Sequence, residues 1–270
     1  MVLERYLIRP ATQDDDPDVV RALLEPVDFM DAAMPEEIVD RMRTGWRLPA
    51  QFGTATLLLA QEHPAGRIVG LAHAIPPVQW LMEMESGLGR QLCLRLSRAL
   101  VEMEAVSVAD SARGQGLGHR LVDELVRSYT RQGYEAMLGG IHTHKPHLSP
   151  YYEADGFHIL SPGAPLDLQL PIGRIQYPAD ASMRHLVRPL APRVSYGAGV
   201  LRGLLAGDGA RERRNTATTP ASGRLRRLER RRPDAGVVAG AGWCRSPTTD
   251  LLLCAGIGVR GMSSSTLTTV

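Results

Sequence analysis

A hexapeptide near the middle of the chain, Arg113-Gly114-Gln115-Gly116-Leu117-Gly118, has the make-up of an anion cradle. Glycine lets a backbone approach phosphate oxygens with no Cβ in the way. The apolar stripe Leu117, Leu121, Leu125 that follows predicts a helix. A helix start leaves N–H groups unpaired and carries the positive end of the macrodipole, so an anion is favoured there. The spacing argues against two common nucleotide loops. The glycines fall as G-x-G-x-G after several strands, not as the dinucleotide pattern G-x-G-x-x-G, and His119 follows the last glycine where a Walker loop requires Lys and Ser or Thr.

Around this loop stand side chains able to move protons. Glu102 and Glu104 lie on a predicted strand, Val101–Val108, where a period of two puts them on one face, and either could relay a proton through water. Tyr152 carries a phenol that is protonated at neutral pH and can donate. His142 and His144 share a strand face and titrate near neutrality, with no partner evident in the sequence. Cys93, Cys244 and Cys254 are odd in number and form no C-x-x-C pair, which argues against a disulfide framework and against a metal site.

Three landmarks, in order along about 150 residues, carry a family resemblance. Arg113, Gly116 and Gly118 fill the defined positions of a [QR]-x-x-G-x-[GA] loop; Tyr151-Tyr152-Glu153-Ala154-Asp155-Gly156-Phe157 is similar to an [FY]-Y-E-x-x-G-F segment; Ile8–Thr12 is similar to an opening strand and turn. Together they resemble the GNAT acetyltransferase family. That resemblance implies acetyl-CoA as acyl donor and a primary amine, on a small molecule, peptide or protein, as acceptor. It implies that the segment Val106, Ser107, Val108 binds the pantetheine arm, with the Val106 N–H polarising the carbonyl, and that Arg113, Gly114, Gln115, Gly116, Leu117, Gly118 and His119 hold the pyrophosphate. It makes Tyr152 the general acid for the departing thiolate; Glu104 or Glu102 is the candidate base if their strand face looks onto the acceptor cleft. One position departs from the family: Lys145, the only lysine in the chain, stands where an Asn is usual, and could itself meet a phosphate. The alternative from another class is a non-catalytic acyl-CoA-binding module with a basic interaction tail.

The elements that must position these groups are legible in outline. A strand at Tyr6–Arg9, a helix at Asp14–Leu24 opened by a Thr12/Asp15 capping box, and a helix at Pro35–Arg43 come first. Strands at Thr54–Ala60 and Arg67–Ala74 flank a His63–Gly66 turn, and Leu88, Leu92 and Leu96 mark a helix. Strand Val101–Val108, the helix from Leu117 to about Gly133, strand Ala136–Ile141, a short helix Ser149–Ala154 and strand Phe157–Leu160 complete the series. The strand–helix–strand unit at 101–141 predicts a parallel pair beside an antiparallel hairpin. The expected fold is therefore α/β (α+β), a mixed central sheet flanked by helices.

Composition divides the chain near residue 190. Residues 1–190 hold 18 basic and 24 acidic side chains, net −6, whereas 191–270 hold 13 and 5, net +8. The expected organisation is an acyltransferase domain at 1–190 and a disordered Arg/Gly/Ala/Ser/Thr-rich tail at 191–270. The arginines of Arg224–Arg232 have no interleaved aromatic residue, so a nucleic-acid partner is not expected. Charges interrupt the N-terminal apolar run, and Leu251–Val259 falls short of the roughly 20 residues that span a bilayer. A soluble cytoplasmic protein is expected, with a homodimer left open.

Overall fold

The computed structural model describes residues 5–29, 31–44 and 52–206. The chain opens with strand β1 (Tyr6–Pro10), helices α1 (Pro17–Leu24) and α2 (Met34–Arg43), and strands β2 (Thr56–Glu62) and β3 (Ile68–Ile75). Helix α1 begins later than the sequence suggests. Asp16 caps it by accepting the Asp18 N–H at 2.9 Å, with Pro17 at the first turn. Asp15 does accept the Thr12 N–H at 2.7 Å, but its carboxylate is committed to Arg9, which holds its pKa below the usual range.

Helices α3 (Val78–Leu88) and α4 (Arg90–Leu96) replace the single helix expected there, because Gly89 adopts a left-handed φ of 78° between them. Strand β4 (Leu100–Val108), helix α5 (Leu117–Arg131), strand β5 (Ala136–His142), the short helix α6 (Ser149–Ala154) and strand β6 (His158–Ile159) follow as expected within a residue or two.

Seven strands form one sheet in the order β1-β2-β3-β4-β5-β9-β6, where β9 is Met183–Pro189. Among the described residues of this sheet, only β4 and β5 run parallel, so the sheet is mixed. Alternation along the strands sorts the core. Leu58, Ala72, Val101 and Met137 face α5 through Leu121, Val122 and Leu125. On the opposite face, Leu57, Leu59, Leu71 and Ala105 are covered by α1 and α2, while Leu100, Ala136, Leu138 and Val187 are covered by α3, α4 and a second sheet.

That second sheet was not foreseen. It comprises β7 (Leu166–Leu170), β8 (Gly173–Tyr177), β10 (Ser195–Gly197) and β11 (Val200–Arg202), in the order β10-β11-β7-β8. The described strands thus extend beyond residue 190, to Arg202. Val194, Val200, Leu201, Leu204 and Leu205 are buried, and Glu135 anchors the arm by accepting the Leu205 N–H at 2.8 Å and pairing with Arg193. Residues 207–270, including the basic run, Cys244, Cys254 and Leu251–Val259, lie outside the described residues.

Candidate functional site

Parallel pairing between β4 and β5 runs only from Leu100↔Ala136 to Met103↔Gly139. Strand β4 continues five residues further, to Val108, still bonded to β3, and β5 continues three, to His142. Beyond Met103 the two strands part, and among the described residues no strand pairs with Glu104–Val108 on the β5 side of β4. Backbone polar groups along such a gap need other partners. The segment Val106, Ser107, Val108 expected to bind a pantetheine arm lies along it.

The parting coincides with a β-bulge. His73 is paired with Ala105 and Ala74 with Met103, so Glu104 is the extra residue on β4. Alternation keeps Glu104 on the face of Glu102, and the bulge turns Val106 and Val108 to the α5 side. His73, fully buried on β3, places Nδ1 2.9 Å from Glu104 Oε2. Glu102 Oε2 accepts a 2.8 Å hydrogen bond from the Tyr177 hydroxyl on β8. Burial, and secondarily the charge of Glu104, push the Glu102 carboxyl up to about 7, against the opposing hydrogen bond from Tyr177. On α2, Glu37 is also raised, first by burial and then by Asp31 and Glu104, against its Arg41 partner at 2.7 Å.

At the other end of β4, a short 3-10 turn (Asp110–Ala112) leads into the glycine loop. Gly114 and Gly116 both take φ of 72°, and Gly116 is the N-cap of α5 with no side-chain cap and no acidic residue in the first turn. A Cβ at either glycine would meet no described atom within 4 Å, so neither glycine is required by packing on that side. Gly118 answers a different need: a Cβ there would stand 2.6 Å from the Tyr151 hydroxyl. The Arg113 side chain folds back, its Nε donating to the Val108 carbonyl at 3.0 Å and its Nη1 lying 2.8 Å from Asp110. Gln115 does more than span the loop. Its Oε1 accepts from Arg5 at 2.9 Å and from the Tyr6 hydroxyl at 3.0 Å, which ties the loop to β1.

Tyr152, on α6, packs with Val106 and Val108 against the α5-side core, its ring edge-on to Tyr151 at 4.9 Å and to Phe157 at 5.8 Å. Burial, and then the charge of Asp155, raise its phenol to about 12, so it is protonated at neutral pH. His119 bridges the two elements: its ring stacks on Tyr151 at 4.2 Å and its Nδ1 lies 2.8 Å from Asp155.

The remaining expectations are redirected. His144 and Lys145 reach Asp28 at 2.9 and 2.7 Å, and His142 meets the Asp28 carbonyl at 2.9 Å. Lys145, and next His144, lower the Asp28 pKa. Lys145 is therefore committed to the connection between α1 and α2, not held out to a phosphate. His73 and Tyr177 escaped the sequence reading, His73 because it sits in an apolar strand run and Tyr177 because β8 itself went unrecognised. Among the described residues, no group of three His, Cys, Asp or Glu side chains could hold a metal ion, and no helix is long and apolar enough to cross a membrane.

Residues 26–157 match the profile of the family described as "Acetyltransferase (GNAT) family". No curated protein matches the chain. Solved structures similar to it include a GNAT family N-acetyltransferase from Escherichia coli in complex with CoA, at 22% identity over 73% of this chain and 88% of that one, TM-score 0.44. A GNAT family acetyltransferase from Elizabethkingia anophelis with acetyl-CoA bound is 16% identical over 69% of this chain and 99% of that one, TM-score 0.42. An N-acetyltransferase from Staphylococcus aureus Mu50 is 16% identical over the same shares, TM-score 0.45.

Proposed function

We propose, from the GNAT family domain that the chain carries over residues 26–157, that this protein transfers an acetyl group from acetyl-CoA to a primary amine. The observation that carries the reading is the parting of β4 from β5 next to an uncapped helix start, with a phenol on one side of the sheet and two carboxyls on the other. Acetyl-CoA would supply an activated thioester. The open side of Gly114 and Gly116 fits a pyrophosphate, which the first-turn N–H groups of α5 would bind.

Within that frame the residues divide the work. Backbone groups of Val106 and Val108 fix the pantetheine arm, and the Val106 N–H stabilises charge developing on the carbonyl oxygen. Tyr152, kept protonated by its surroundings, donates to the departing sulfur. Glu102 and Glu104, on the opposite face, take the proton that the amine must lose, directly or through water. The opening between β4 and β5 is where these two faces meet.

Calorimetry and thermal melts test the donor site. At a hundredfold excess over its dissociation constant, acetyl-CoA should stabilise the folded chain by about 2.7 kcal/mol and raise its melting temperature by roughly 5–10 °C. Gly116→Val should abolish that shift. A β-branched residue is disfavoured at a φ of 72°, and its side chain would fill the space open to the phosphate. The apo variant should still melt cooperatively, at a lower temperature. Absence of binding to the unmodified protein at millimolar acetyl-CoA would remove the reading; undiminished binding to Gly116→Val would move the pyrophosphate elsewhere.

A further inference from the structure

Tyr177 lies 20 residues beyond the end of the family match, on a strand of the second sheet. Its ring is almost wholly buried, edge-on to Trp80 of α3 at 4.9 Å and 5.1 Å from the ring of His185 on β9. A phenol held this way cannot swing its hydroxyl elsewhere, and it spends its one proton on Glu102 Oε2 at 2.8 Å. Donation to a carboxylate is stronger and more directional than donation to a neutral acceptor. Glu102, meanwhile, keeps partial access to solvent.

We propose that Tyr177 is a positioning residue for Glu102, which takes the amine's proton, so that the second sheet completes the acceptor side of the site. This rests on the acetyltransferase reading. An inert packing role would have been served by Phe, which makes the same edge contact with Trp80 and needs no buried partner. The groups facing Glu102 are Tyr177 from β8, Glu104 from its own strand and, through it, His73 from β3. Glu83 of α3 and His185 of β9 act at one remove, through Tyr177. Among these, Tyr177 is the group whose hydrogen bond favours the ionised form of Glu102, against burial and Glu104.

Removing the hydroxyl removes a bond that favours the carboxylate, so the Glu102 pKa rises and the acid limb of kcat/KM moves to higher pH. CoA release is followed in full-length protein across a panel of primary amines comprising ethylenediamine, spermidine, glycine amide and an aminoglycoside, using whichever is fastest. Tyr177→Phe should lower kcat/KM at pH 7 about tenfold, shift the acid limb upward and leave acetyl-CoA affinity unchanged. Glu102→Gln should cost on the order of 10²–10³-fold. In a Glu102→Gln background, Tyr177→Phe should cost nothing further, because its effect passes through the carboxyl. An acceptor-independent readout is the Glu102 carboxyl titration by NMR, expected to move upward in Tyr177→Phe. An unmoved titration, or an equal cost of Tyr177→Phe with and without Glu102, overturns the proposal. Absence of CoA release by the parent with every amine, despite acetyl-CoA binding, overturns the transferase reading beneath it and is a distinct result.

Discussion

Ending the chain after Leu190 is expected to abolish cooperative melting, whereas ending it after Ala206 is expected to preserve it. The sixteen intervening residues supply both partners of a buried carboxylate. Glu135, 5% exposed, accepts from Arg193 on one oxygen and from the Leu205 N–H on the other. Arg193 is half exposed, but leaving a buried carboxylate without its hydrogen-bond donors costs about 1–3 kcal/mol or more. The same cut removes Val194, Val200, Leu201, Leu204 and Leu205, each contributing roughly 1.5–3 kcal/mol of apolar burial at the upper bound. It also strips β7 of its parallel neighbour β11. Set against a total stability of about 5–15 kcal/mol, these losses leave no folded state. Circular dichroism melts of the two truncated chains decide it. A chain ended at 190 that melts cooperatively within a few degrees of its longer counterpart would show the arm to be an accessory.

Tyr152→Phe is expected to lower kcat by about 10²–10⁴-fold while acetyl-CoA affinity stays the same. The substitution deletes one hydroxyl and leaves the ring wedged between Tyr151 and Phe157, so the packing of α6 survives. Steady-state turnover can be limited by product release, which would mask the effect. Single-turnover transfer to the best amine acceptor is therefore the informative measurement. Equal single-turnover rates for Tyr152→Phe and the parent would show that water or another group protonates the thiolate, while the donor site would stand.

Local chemistry explains which parts of the fold could be read in advance. The stripe Leu117, Leu121, Leu125, the alternation in Val101–Val108 and the turn at His63–Gly66 are short-range signals, and each element appears where expected. The second sheet has a weaker signal: it is two tight hairpins, β7–β8 and β10–β11, whose strands are only three to five residues long, and they become one sheet through the pairing of β11 beside β7 across more than thirty residues. The packing of residues beyond 190 is illegible in the sequence for a related reason. Arg193 and the backbone of Leu205 are held by one buried glutamate that the sequence does not distinguish from a surface charge. At the site, Glu102 and Glu104 were placed on one face by simple alternation. They do share it; what alternation cannot foresee is the bulge at Glu104, which sends Val106 and Val108 to the opposite face. Lys145 looked available for a phosphate because Asp28, 117 residues away, gives no hint in the sequence of where it lies.

Gln115 carries a consequence for engineering. Its amide oxygen holds Arg5 and Tyr6, residues that precede the family-like stretch of 26–157 by some twenty positions. Tyr177 and the Glu135 anchor lie beyond its other end. The stretch that looks like a self-sufficient cassette is therefore not transplantable. Grafted into another scaffold, or shuffled with a homologous segment cut at the same borders, it would arrive with its glycine loop untethered on one flank and its carboxyl unsupported on the other. Crossover points for chimaeras of this protein belong before residue 5 and after residue 206.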